Sequence, residues 1–180
     1  HPTGGELAAS LAWFPVVGLL LGALAAAADT LLLRLWPASV VSALDLALLV
    51  LLTGALHLDG LADSADGLFH PGGTLRRLEI MRDSRIGSYG VVALAFTLLT
   101  QYTALAAIAP AGRGIALLLA PTLARWVQVL LIWWFPYGRP EGRGTPFAGS
   151  GKAPRAIAAS VITVAVAAAF GTAALGLMLG

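Results

Sequence analysis

Long apolar stretches alternate with short polar interruptions along this chain, and most of the stretches are close to 20 residues long. They fall at roughly 11–33, 40–58, 89–109, 114–135 and 156–179. A helix needs about 20 apolar residues to cross a hydrocarbon core. The pattern therefore predicts an all-α, polytopic membrane bundle with about five spanning helices, organised as a single domain over 1–180. A soluble bundle would need polar outer faces, which these Ala-, Leu- and Val-rich stretches lack. Pro37, Pro110 and Pro136 stand at stretch ends, where a helix tolerates a stop. Trp13, Trp36, Trp126, Trp133, Trp134 and Tyr137 are candidates for interfacial aromatic belts, and Trp126 equally for packing inside the bundle. Arg125 and Gln128 interrupt the fourth stretch, and a charge within a span is a functional candidate by default.

The second stretch runs into Leu56-His57-Leu58-Asp59-Gly60-Leu61-Ala62-Asp63-Ser64-Ala65-Asp66-Gly67. We read the helix as continuing to about Leu68, so that Asp59, Asp63 and Asp66, at i, i+4 and i+7, share one face at its end. A solvated helix end is the plain alternative, but interleaved Leu58, Leu61, Ala62, Ala65 and Leu68 make the segment amphipathic rather than simply polar. Three like charges on one face near a bilayer call for a positive partner, and oxygen-only ligands suit magnesium, manganese or calcium. Gly60 and Gly67 fit a face that another backbone or a phosphate approaches closely. His57 reads equally as a nitrogen ligand or proton acceptor and as a hydrogen-bonded structural residue.

Composition sharpens the class. The chain is 58% hydrophobic and 11% charged, against about a quarter charged in soluble domains. There is no cysteine, which removes disulfides, thiolate catalysis and thiolate metal sites. The net charge of +2 is uninformative, but its distribution is not. Arg76, Arg77, Arg82 and Arg85 cluster in one polar segment, and Arg139, Arg143, Lys152 and Arg155 in another, two spans further on. The positive-inside rule makes that shared side cytoplasmic, with Gly180 on the far side and Arg34 and Arg113 in the short opposite turns. Membrane lipid is the expected surround, and no nucleic-acid partner is expected.

Around Arg76 and Arg77, a helix on the membrane surface would turn Leu78 and Met81 towards lipid. Arg82-Asp83-Ser84-Arg85, followed by Gly87 at the entry to a span, has the make-up of a phosphate clamp with a further metal ligand in Asp83. The Gly- and Pro-rich segment 136–152 reads as a loop. Glycines beside Arg139, Arg143 and Lys152 let backbone N–H groups and cations approach an anion together.

Taken in order, these motifs resemble the cobalamin synthase family, the adenosylcobinamide-GDP ribazoletransferases. The resemblance is carried by Thr53 to Leu68, by Arg77 to Gly90, by Leu119-Ala120-Pro121 with Arg125-Trp126, and by Pro136-Tyr137 with Arg139-Pro140-Glu141-Gly142. Phe14-Pro15-Val16-Val17-Gly18 adds an early match. It implies a bacterial inner-membrane enzyme dependent on Mg2+, and the topology read from the charges independently turns the site to the cytoplasm. The reaction implied joins adenosylcobinamide-GDP to α-ribazole or its 5′-phosphate and releases GMP.

In that reaction a ribose hydroxyl attacks the cobinamide-side phosphorus, with Asp59, Asp63, Asp66 and Asp83 on metal. One carboxylate or His57 takes the proton, and Arg82, Arg85, Arg139 and Arg143 sit on phosphate oxygens, under the 136–155 loop. The family carries a short stretch before the region starting at His1 and a further Gly/Thr/Asp motif after its end, so we read the chain as truncated at both ends. The CDP-alcohol phosphotransferases are a second reading, against which Leu68-Phe69 follows Asp66-Gly67 in place of the Ala-Arg their pattern requires. A cation transporter is a third, against which the acids lie at a span end rather than at the midplane.

Overall fold

Apolar runs with no water to satisfy their backbone bury every N–H and C=O in helical hydrogen bonds, and helices are what the chain forms. The structure, a computed structural model, describes residues 4–138, 144–147 and 152–179. Among them the regular elements are α1 (Gly4–Ala9), α2 (Phe14–Leu32), α3 (Ala38–Leu52), α4 (Leu56–Leu68), α5 (Thr74–Ile80), α6 (Ser88–Ala107), α7 (Pro110–Trp134) and α8 (Lys152–Leu179). Two 3-10 turns at Ser10–Trp13 and Thr145–Phe147 complete the set. Among the described residues four stretches are long and apolar enough to cross a membrane: Gly5–Leu32, Ser88–Ala107, Pro110–Trp134 and Lys152–Thr172. The pair α3 and α4 makes a fifth span if counted as one. Trp13, Leu20, Phe96, Leu99, Trp134 and Val161 are exposed on these helices, as lipid-facing side chains are.

The second span departs from expectation. Instead of running on to Leu68, the helix stops at Leu52, and α4 leaves at 88° to α3. Ala55 N–H donates to Val50 O (2.9 Å) and Gly54 N–H to Leu51 O (3.1 Å), the paired bonds that close a helix through a left-handed residue after its cap. Gly54 takes that position at φ 59° without steric cost, and Ala55 follows it at φ 56°, where a Cβ costs about 1–2 kcal/mol. Gly54 is the stop signal in the sequence that a hydropathy reading passes over. With 15 residues, α3 is about 22 Å long.

The described residues divide into two compact units. One holds the chain up to Thr30 and from Ala109 onward. Its core is Leu11, Val129, Ala156 and Ala159, with Phe14, Trp126, Ile132 and Phe147 packed around it. Trp126 belongs to this interior, donating its indole N–H to Ser160 Oγ at 2.9 Å. Pro121 lies inside α7 and cannot donate to the Leu117 carbonyl four residues back. That carbonyl lies so close to Gly22 of α2 that any Cβ there would collide with it. Arg113, expected to stand alone in a short turn, is instead fully buried in the first turn of α7 and paired with Asp29 of α2. Its Nε donates to Asp29 Oδ1 at 2.9 Å and its Nη2 to the same oxygen at 2.5 Å.

The other unit is Leu31–Ile108. In it α4 packs along α6 and is flanked by α5, while α3 also leans on α6. Ala62, Ala65 and Gly67 of α4 form the buried face. Met81, expected to face lipid, instead packs where a side chain on Gly67 would have stood.

Candidate functional site

An open cleft of about 500 Å³ lies in the second unit, bounded by the C-terminal end of α4, the turn after it, and the segment between α5 and α6. Asp66, Phe69, His70, Asp83, Arg85, Ser88 and Tyr89 contribute to its walls. That volume is of the size that small-molecule sites occupy. Phe69 and Tyr89 stack at 5.3 Å between centroids, 27° between planes, making an exposed aromatic wall. His70 Nδ1 accepts the Gly72 N–H at 3.0 Å, and the His70 carbonyl accepts from Arg77 Nε at 3.2 Å. The His-Pro-Gly-Gly turn is thereby tied to α5.

The two acids of the cleft are held differently. Asp66 accepts two backbone bonds from the start of α6: Gly87 N–H donates to Oδ2 at 2.7 Å and Gly90 N–H to Oδ1 at 2.9 Å. Bonds of this kind to a charged acceptor contribute about 1.5–3 kcal/mol each. Asp83 instead meets Arg85, which donates Nη2 to Oδ2 at 2.7 Å, Nε to Oδ1 at 3.1 Å, and its own backbone N–H to Oδ1 at 3.0 Å. The Arg85 guanidinium bonds, then its amide, hold the Asp83 carboxyl down at about 2, and the same pairing raises Arg85. The pair is open to water, with side chains 86% and 39% exposed.

Asp66, Asp83 and Arg85 come together in the cleft, and Asp59, Asp63 and His57 do not line it. Asp59 and Asp63 stand one turn apart on α4, Asp59 exposed and Asp63 half-buried, with His57 exposed at the start of the same helix. Arg82 is exposed on the turn after α5. Arg139 and Arg143 lie outside the described residues. Gly60 borders open space, whereas Gly67 is where α5 approaches. Arg125 is half-buried in α7 and donates Nη1 to Gln128 Oε1 at 3.3 Å.

The expected convergence of Asp59, Asp63, Asp66 and Asp83 is not found. Among the described residues no three His, Asp or Glu side chains are placed to hold one ion. The reason is local: two α6 amides claim Asp66 and a guanidinium claims Asp83. Magnesium, however, is usually held by one or two carboxylates with substrate phosphates and water, and Asp59 with Asp63 fit that smaller donor set. Sequence reasoning missed Phe69, His70 and Tyr89. An aromatic and an imidazole directly after the acidic helix were the available signal for the first two.

The family model described as Cobalamin-5-phosphate synthase matches residues 1–180. The chain is similar to the adenosylcobinamide-GDP ribazoletransferase of Geotalea daltonii, 43% identical over 88% of this chain and 64% of that protein. The protein of the same name from Desulforamulus reducens is 38% identical over 96% of this chain and 70% of its own length. That of Stutzerimonas stutzeri is 45% identical over 92% and 66%. The chain thus spans about two thirds of the length of these relatives. No solved structure matches it.

Proposed function

We propose, since this chain belongs to the cobalamin-5-phosphate synthase family, that it provides the catalytic core of a membrane transferase. The reaction joins adenosylcobinamide-GDP to α-ribazole or its 5′-phosphate and releases GMP. The names of the relatives support the substrates. The observation that carries the reading to a place in the molecule is the cleft at the end of α4. It sets a guanidinium, an imidazole and an exposed aromatic pair side by side, a set suited to a phosphate attached to flat rings. We place it on the cytoplasmic face of a bacterial inner membrane, where the positive-inside rule puts the Arg76–Arg85 cluster and where guanine nucleotides are made.

In this reading Arg85 exchanges Asp83 for a non-bridging phosphate oxygen. A planar fork that already makes two parallel bonds to a carboxylate matches a phosphate in the same way. Asp59 and Asp63 would hold magnesium, which when bound neutralises the diphosphate and the departing phosphate. His57, in the first turn of α4, stands two residues before Asp59 and so on the other side of that helix; a carboxylate of the acidic face is the proposed acceptor of the proton from the attacking ribose hydroxyl. Arg82, exposed on the turn after α5, would add positive charge around the bridge.

The test is GMP release by the protein in detergent, given both substrates and titrated with magnesium. Wild type should release GMP only with both substrates present. Asp63→Asn should lower turnover at limiting magnesium by about 10–100-fold, the range seen when the surroundings of a metal are disturbed, and leave membrane insertion intact. Wild-type turnover by that variant at limiting magnesium removes Asp63 as a ligand, and no GMP from wild type overturns the reaction.

A further inference from the structure

We propose that Asp66 is a positioning residue and not a metal ligand: its carboxylate is the N-terminal cap of α6 and fixes the Arg82–Gly87 turn against the acidic helix. A helix start leaves its first N–H groups without partners inside the helix. Commonly a hydroxyl at the cap position bonds the N–H three residues on, and a Glu there bonds back to the N–H of the cap. In α6 both places are glycine, Gly87 at the cap and Gly90 three residues later, so neither can supply a side chain. Asp66 makes both bonds from another helix, one with each oxygen.

The two glycines also admit it sterically. A Cβ on Gly87 would collide with Asp66 Oδ1 and Cγ, and a Cβ on Gly90 would stand 2.5 Å from Oδ2. The charge is well placed for this role and poorly placed otherwise. Asp66 lies near the C-terminal end of α4, which disfavours an anion, and against the N-terminal end of α6, which favours one. Turning the carboxylate to a metal would leave two amides without acceptors. Gly87 is only two residues beyond Arg85, so the bond at Gly87 sets where that guanidinium stands.

The experiment compares Asp66→Ala, Asp66→Asn, Gly87→Ala and the double variant Asp66→Ala/Gly87→Ala with wild type in detergent. It reads amide hydrogen exchange over residues 85–91, the magnesium concentration giving half-maximal turnover, and KM for the GDP-linked substrate. Exchange there should speed up at least about tenfold in Asp66→Ala and in Gly87→Ala, which keeps the acid but blocks its seat. KM should rise about tenfold in both, with half-saturation by magnesium within about twofold of wild type. The double variant should be no worse than either single one, because the added methyl occupies space the carboxylate has vacated.

Unchanged exchange in Asp66→Ala overturns the proposal whichever way activity moves. So does a roughly tenfold rise in the magnesium requirement of Asp66→Asn with Gly87→Ala behaving as wild type. The exchange measurement stands apart from the transferase reading, whose own failure would show as wild type releasing no GMP.

Discussion

Two arginine–aspartate pairs divide the charged chemistry of this molecule between them. Asp29–Arg113 lies inside one unit, with side chains 4% and 0% exposed, while Asp83–Arg85 lies in the cleft of the other at 39% and 86%. The bonds are of similar length, so length does not separate them; water does. In the buried pair each charge has only protein to replace its hydration, and neither partner can leave alone. In the open pair solvent screens the attraction and stands ready to take over either group. The first arrangement suits a fixed joint between α2 and α7, and the second suits a cation that must change partners.

The comparison breaks most readily at the buried pair. Arg113→Ala or Asp29→Ala should each cost about 3–5 kcal/mol by stranding a charge among apolar helices, read as lost thermal stability in detergent. Replacing both by Leu and Met should restore much of it. Equal loss in the double variant would show that the pair does more than satisfy itself.

At the open pair the expected effects move from stability to binding. Arg85→Ala should leave the melting temperature unchanged and raise KM for the GDP-linked substrate about tenfold, the loss expected for a bidentate phosphate contact. A fall in melting temperature instead would make it a structural pair like the other. Asp83→Asn should lower that KM about twofold, because a weak competitor for the guanidinium is removed. An increase would place Asp83 on the substrate side of the chemistry.

The smallest expected effect is a flat line. Asp83 is depressed from 3.8 to about 2, so its contribution is complete above 3.8 and fades only as pH falls through about 2. KM measured between pH 5 and 8 should show no slope from this pair.

Much of the architecture was legible because span-length apolar runs have one stable outcome in lipid. The locations of α2, α6, α7 and α8 follow from hydropathy alone, and helical structure from Leu56 to Leu68 follows from the spacing of its acids, although not as a helix separate from α3. What hydropathy did not carry is pairing over distance. Asp29 and Arg113 are 84 residues apart, and Asp66 is 21 and 24 residues from the amides it caps. Periodicity along one helix says that Asp59, Asp63 and Asp66 share a face, but it cannot say which neighbour claims one of them first. The turn at Thr53-Gly54-Ala55 was readable in principle from Gly54, and was outweighed by the apolar residues on both sides.

That turn has a consequence for the acids in terms of depth. On a straight continuation of a crossing helix, residues seven apart would sit about 10 Å apart along the membrane normal, so Asp59 and Asp66 would experience different layers of the bilayer boundary. With α4 leaving at 88°, an α3 that crossed along the normal would spread the same residues sideways at a single level. In that setting a thinner or thicker bilayer would raise or lower all three carboxylates together.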